Sequence, residues 1–251
     1  MNDILQINGD VFGVGDIHGD IPTFLHVINY YDIKDCSLIL LGDVGIFRYR
    51  DYKRYIPMDE ECRKRNIMVY AIRGNHDNPG FYQHRPNLTA IGKRFWDKFT
   101  NFTYIPDCTI LEINGSRGIA IGGATSIDRY ARKNWHKQEY SKSLYAHGDW
   151  WKDEILPETA GIKDKIDFIL SHTGPRPTKT TILNESNCSF MRVDYLLKSD
   201  LDKENRRLEE IQAQFKPKKW WFGHFHINDT FDYYETRCYA TDICYLTPIQ
   251  L

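Results

Sequence analysis

Five times along the chain a short, almost wholly apolar run passes directly into a cluster of small and polar residues. Val11-Phe12-Gly13-Val14-Gly15 leads into Asp16-Ile17-His18-Gly19-Asp20, and Ser37-Leu38-Ile39-Leu40-Leu41 into Gly42-Asp43. Residues 67–72 lead into Arg73-Gly74-Asn75-His76-Asp77, residues 166–170 into Ser171-His172-Thr173-Gly174, and residues 219–222 into Gly223-His224-Phe225-His226. Short runs that are apolar at odd and even positions alike read as strands buried on both faces. Between several of them the period changes. Phe24, Leu25, Ile28 and Tyr31 are spaced for a helix over 21–31, with Asp20 as N-cap and Pro22 in the first turn. Leu201, Leu208, Ile211 and Phe215 make one apolar stripe over 200–215 with charge opposite, and 51–65 reads as a third, more polar helix. Strands alternating with helices predict an α/β architecture.

Four more strands are expected at 109–113, 118–122, 230–235 and 238–243. They pair as two hairpins, turning near Asn114-Gly115 and near Glu235-Thr236. Hairpins of this kind do not belong in one doubly wound sheet, so a second sheet is expected in the core. Residues 124–160 and 174–199 are the least regular. Two readings of them stand side by side: a lid or rim over a site, or connecting structure around a satellite core. Trp220 and Trp221, on the run before Gly223, read as core packing.

A length of 251 residues fits one large α/β domain, here taken as 1–251. The 33 Lys+Arg and 34 Asp+Glu leave a net charge of −1, which exerts no global pull on nucleic acid or on an anionic membrane. No apolar run approaches the roughly 20 residues of a membrane span, and Met1 to Asp10 has none of the features of a signal peptide. The six cysteines are scattered without CxxC spacing and read as reduced, buried thiols. A soluble, cytoplasmic protein is expected.

Functional groups of α/β sheets gather at the carboxyl ends of strands, and all five polar clusters stand at such ends. Residues two apart in extended chain point the same way, so Asp16 with His18, and His224 with His226, each present two donors to one point. Glycines at 15, 42, 74 and 223 are expected to let the backbone turn sharply beside the donors. Four histidines (His18, His172, His224, His226), two aspartates (Asp16, Asp43) and Asn75 form a nitrogen and oxygen donor set that suits Mn, Fe or Zn better than Mg or Ca. Seven donors exceed one tetrahedral site and suit two divalent ions sharing a carboxylate.

Gly15-Asp16-Ile17-His18-Gly19, Gly42-Asp43, Gly74-Asn75-His76-Asp77, His172 and Gly223-His224-Phe225-His226 resemble, in order, the motifs of the calcineurin-like metallophosphoesterase family. The resemblance implies a four-layer α/β/β/α sandwich, with two central mixed sheets flanked by helices and a dinuclear centre at its edge. It implies that Asp16, His18 and His226 hold one ion, that Asn75, His172 and His224 hold the other, and that Asp43 bridges them. His76 is then the general acid, or helps to hold the phosphate. The implied activity is hydrolysis of a phosphate mono- or diester by a hydroxide activated between the ions, with manganese the first choice of metal and iron or zinc the alternatives.

The phosphoprotein-phosphatase branch of that family carries Asp-Arg-Gly after the second motif; here Ile46 and Phe47 fill the Asp and Arg positions. A replacement cation for the substrate is sought among Arg48, Arg50, Arg73 and Arg129. Nucleic acid is a further substrate class, one that the net charge does not favour. A catalytically silent protein-binding scaffold is a further alternative, and the filled ligand positions argue against it. Asp77 reads either as support for a ligand or as a helix cap.

Overall fold

In the computed structural model, residues 4–46, 49–83, 90–134, 150–176 and 193–251 are described. The strands are β1 Leu5–Ile7, β2 Asp10–Val14, β3 Cys36–Leu40, β4 Ile67–Ala71, β5 Phe102–Tyr104, β6 Thr109–Ile113, β7 Ser116–Ile121, β8 Phe168–Ser171, β9 Lys219–Phe222, β10 Asp229–Tyr233, β11 Thr236–Ala240 and β12 Leu246–Pro248. The helices are α1 Ile21–Tyr30, α2 Tyr52–Lys64, α3 Ala90–Trp96, α4 Arg129–Asn134 and α5 Leu197–Phe215.

The strands form two mixed sheets, one ordered β1-β6-β7-β8-β9-β11-β10 and the other β12-β2-β3-β4-β5. In the larger sheet, β6–β7 and β10–β11 are antiparallel hairpins and the other neighbours run parallel. In the smaller, β12 alone is antiparallel to its neighbour.

The period-two alternation of the strands sorts their side chains into three apolar layers. Leu38 and Leu40 of β3 face Phe24 and Ile28 of α1, Tyr55 and Met58 of α2, and Phe95 of α3. Ile39 and Leu41 point the other way, into a layer with Phe168, Leu170 and Trp221 that joins the two sheets. Ile169, Trp220 and Phe222 point outward again, against Leu208, Ile211 and Phe215 of α5. The order is therefore helices, sheet, sheet, helix, the expected sandwich. Both tryptophans are core residues: Trp220 Nε1 donates to Ser171 Oγ at 2.7 Å, and Trp221 stacks on Tyr239 at 4.9 Å.

Asp20 caps α1 as expected, accepting from Thr23 N at 3.1 Å and from its hydroxyl at 2.8 Å. Asn114 and Gly115 turn the first hairpin with φ of 49° and 83°. The second hairpin turns at Tyr234-Glu235, where Tyr234 has φ 54°, so β11 covers 236–240 and not the expected 238–243. The helix expected at 200–215 starts earlier, at Leu197. Strands β1, β5 and β12 are three-residue edge strands, too short to register as a period. Cys36, Cys62, Cys238 and Cys244 are buried free thiols and Cys108 is partly buried; Cys188 lies outside the described residues. Burial pushes Cys36 up to about 11 and the other four up to about 12, so all five stay protonated near neutral pH. Among the described residues no helix is long and apolar enough to cross a membrane.

Candidate metal centre

The carboxyl ends of β2, β3 and β4 in one sheet meet those of β8 and β9 in the other, and the seven donors stand at this meeting. The connecting loops are bonded to one another. His18 N donates to Asp43 O at 2.7 Å, His172 N to Ile121 O at 3.0 Å, and Gly223 N to His172 O at 3.0 Å.

Asp16 Oδ2 lies 2.9 Å from His226 Nε2 and 3.7 Å from His18 Nε2, and the two Nε2 atoms are 3.2 Å apart. These three side chains make one cluster with metal-binding geometry; Asp16, Asp43 and His172 make a second. Asp43 faces both: its Oδ2 is 3.9 Å from His18 Nε2 and its Oδ1 is 3.4 Å from His172 Nε2. His172 Nδ1 lies 2.9 Å from Leu41 O and must carry a proton there, leaving Nε2 to face Asn75 Oδ1 at 2.8 Å. His224 packs edge-on against His172 at 4.9 Å, and its N–H donates to Asp16 Oδ1 at 3.0 Å.

Asp16 and Asp43 are buried, and among the described residues no lysine or arginine pairs with either. Burial opposes their charge, yet the surrounding histidines hold Asp16 below and Asp43 well below the usual carboxylate range. The same carboxylates overcome burial at His172 and carry it up to about 9, while burial and the neighbouring His172 push His224 down to about 3. Two buried carboxylates surrounded by imidazole nitrogens and a carboxamide oxygen call for positive charge at the centre. The donor set therefore fits divalent cations.

Four of the seven donors have left-handed backbones: His18 (φ 45°), Asp43 (45°), His224 (67°) and His226 (52°). A non-glycine residue is costly there, and such strain concentrates at functional sites. The glycines play a different part from the one expected. Only Gly42 of the four has a positive φ. At Gly74 a Cβ would stand 2.0 Å from Asp43 Oδ1 and 2.1 Å from Asp43 N, so that glycine is required by space and not by conformation.

His76 N donates to Asp43 Oδ1 at 2.8 Å, and the ring stands edge-on to His18 at 5.4 Å. Its Nδ1 is buried and has no hydrogen-bond partner among the described residues. Asp77 does not cap a helix. Its Oδ1 accepts from Gly45 N (2.7 Å) and Ile46 N (2.9 Å), and its Oδ2 from Val44 N (3.1 Å) and Gly74 N (2.9 Å). It staples the loop after β3 to the loop after β4.

Arg73 and Arg129 are each held by partners within the chain. Arg73 bonds Asp107 at 2.7 Å and the carbonyls of Asp153, Glu154 and Ile155 at 2.9–3.3 Å. Arg129 is held by Asp194 at 2.6 Å and Asp200 at 2.7 Å. Arg48 and Phe47 lie outside the described residues, as do 135–149 and 177–192, the middle parts of the two stretches read as lid or connection. Arg50 is exposed on the turn Tyr49–Asp51. A cation the sequence did not single out is the exposed Arg54 of α2, which lies over Gly19 next to His18; a Cβ at Gly19 would stand 2.5 Å from its Nη1. Ser126, Arg132 and Glu154 behind Asn75 were also missed, because no spacing in the chain links residues 75, 126, 132 and 154.

Among curated proteins the chain is similar to the lariat debranching enzyme of Schizosaccharomyces pombe, at 21% identity over 222 residues. That match covers 85% of this chain and 42% of the relative, so the chain spans about two fifths of that relative's length. Among solved structures it is similar to the phosphopantetheinyl hydrolase of Mycobacterium tuberculosis (12% identity, 97% of this chain and 96% of that one, TM-score 0.47). It is also similar to an archaeal phosphodiesterase (11% identity, 94% and 85% coverage, TM-score 0.38). The family model for calcineurin-like phosphoesterases matches residues 10–228, a span that contains every donor described above. The chain belongs to that family, the calcineurin-like phosphoesterases.

Proposed function

We propose that this chain hydrolyses a phosphate mono- or diester at a centre of two divalent ions held by Asp16, His18, Asp43, Asn75, His172, His224 and His226. One observation carries the reading: two buried carboxylates, Asp16 and Asp43, to which no described lysine or arginine is paired, stand among the ring nitrogens of His18, His172 and His226, with the Asn75 carboxamide beside His172 and His224 packed against it. Asp43, which faces both clusters, would be the ligand shared between the ions. The four imidazoles favour manganese, iron or zinc over magnesium or calcium, and manganese is our choice. When bound, such ions supply Lewis-acid polarisation of the phosphoryl group and acidify the attacking water.

The remaining chemistry falls to the protein. Asp77 holds the loop that carries Asp43, and the Leu41 carbonyl fixes the tautomer of His172. His76 is the general acid of this reading, its ring 5.4 Å from that of His18 and its backbone N–H donated to Asp43. The test is turnover of chromogenic phosphate mono- and diesters by metal-stripped protein reloaded with Mn²⁺. Activity that needs the ion, and that falls by about 10²–10⁴ in His76→Ala, is the expected result. No turnover of either ester with two ions bound refutes the hydrolase reading of this centre for simple esters.

A second reading, a nucleic-acid phosphodiesterase, is favoured by the similarity to a lariat debranching enzyme and opposed by the net charge of −1. An RNA-binding titration decides it. Affinity that falls steeply with salt supports a nucleic-acid substrate, and a flat response removes it.

A further inference from the structure

A carboxamide can turn either its oxygen or its NH₂ toward a metal, and only the oxygen is a ligand. At Asn75 the choice is made by a chain of hydrogen bonds whose direction can be followed proton by proton. The Glu154 carboxylate only accepts. It takes Ser126 N–H on Oε1 at 2.9 Å and the Ser126 hydroxyl on Oε2 at 2.8 Å. The hydroxyl has then spent its single proton, so Ser126 Oγ can only accept from Asn75, 2.9 Å away. The atom facing it must be Nδ2, and Oδ1 is left turned toward His172 Nε2 at 2.8 Å.

Two arginines support the chain. Arg132 pairs with Glu154 Oε2 at 3.2 Å, and its other end reaches Asn75 O at 3.5 Å. Burial pushes the Glu154 carboxyl up and Arg132 draws it back toward the charged form, in which it accepts only. Arg73, two residues before Asn75, holds the backbone carbonyls of 153–155 and so ties Glu154 to the strand end that carries Asn75. Arg73, Asn75, Ser126, Arg132 and Glu154 are all buried.

We propose that Ser126 and Glu154, supported by Arg132 and Arg73, are positioning residues that lock the Asn75 amide with Oδ1 toward the metal centre. They set the affinity for the ion Asn75 holds without touching ion or substrate. This inference rests on the metal centre proposed above.

The test is titration of metal-stripped protein with Mn²⁺, followed by calorimetry and by the electron paramagnetic resonance signal that separates paired from single Mn²⁺. Wild-type protein is expected to take two ions. Ser126→Ala removes the acceptor and lets the amide turn, so one of the two affinities drops by roughly 10–100-fold and the paired signal gives way to the single-ion one. Ser126→Thr keeps the hydroxyl and restores both. Should Ser126→Ala not fold without metal, as a thermal melt would show, Glu154→Gln carries the same test. Its amide can donate to the serine hydroxyl and reverse the chain, so it too is expected to weaken one site. Wild-type affinity for both ions in these variants overturns the inference alone. Equal weakening of both ions that threonine does not restore also overturns it, because that is general damage. A wild-type chain that takes no Mn²⁺ overturns the metal centre and this inference with it.

Discussion

Asp77→Asn keeps the shape of a buried side chain and removes half of its accepting power. In the native protein two carboxylate oxygens accept four backbone N–H groups, from Val44, Gly45, Ile46 and Gly74, at 2.7–3.1 Å. An asparagine can offer its oxygen to one pair; its NH₂ then confronts the other pair, donor against donor. Two charge-assisted bonds are lost, each worth about 1.5–3 kcal/mol, for a total of roughly 3–6 kcal/mol. That is a large share of the 5–15 kcal/mol typical of a whole domain. At about 2 °C per kcal/mol for a chain of this length, the melting midpoint falls by roughly 6–12 °C. Mn²⁺ affinity falls too, because the stapled loops carry Asp43 and lead into Asn75. Calorimetric melting of the metal-free protein followed by Mn²⁺ titration measures both. A loss under about 1 kcal/mol with unchanged Mn²⁺ affinity refutes the reasoning. It would mean that the folded protein already holds a proton on Asp77, the direction in which burial and the charge of Asp43 push it.

Three further outcomes are expected. Burial pushes Glu204 up to about 7, so its carboxyl keeps a proton in the folded chain between the unfolded value and about 7. Stability is then lost as pH rises through that window. Glu204→Gln is expected to match wild type at pH 5 and to exceed it by roughly 1–2 kcal/mol at pH 8, allowing for partial solvent screening, and urea unfolding at the two pH values reads the difference. Gly74→Ala drives a methyl into the backbone and carboxylate of Asp43; a loss of about 1–3 kcal/mol and of Mn²⁺ binding is expected, and an unaffected Mn²⁺ titration would contradict it. Arg54→Ala removes an exposed cation beside Gly19 and is expected to raise KM for phosphate esters about 3–10-fold, as for an exposed ion pair of roughly a kcal/mol, with little change in kcat; a fall in kcat alone would remove Arg54 from substrate binding.

What was legible in the sequence followed from periodicity. The strands that carry donors are buried on both faces, so their runs are nearly continuous and end abruptly where the polar cluster begins. Asp16, His18, Asp43, Asn75, His172, His224 and His226 stood out because each follows such a run. The hairpins at 109–121 and 229–240 were visible through their alternation, although a turn one residue from its expected place moved β11 by two. The arginines could not be sorted from the sequence, for a physical reason. A buried arginine bonded to carboxylates and carbonyls and an exposed one beside a site carry the same letter, and only packing separates Arg73 and Arg129 from Arg54. Ser126 and Glu154 were invisible because their importance is the direction of two hydrogen bonds, which no local pattern encodes.

The strain and the charge of the site have one origin. A strand that ended in ordinary extended backbone would send His18, His224 and His226 on toward solvent; the left-handed turn at each folds the donor back over the strand ends. Each such residue costs on the order of 1–3 kcal/mol, and Asp16 and Asp43 add the cost of two neighbouring buried carboxylates. The geometry is over-determined from outside: Gly74 and Gly223 leave no room between the loops and the carboxylates, Asp77 fixes the loop after β3, and the inter-sheet layer fixes the strand ends. The fold thus brings residues from opposite sheets, separated by as many as 210 positions, to one place, four of them on backbones that a non-glycine residue rarely adopts, as the proposed centre of two cations requires.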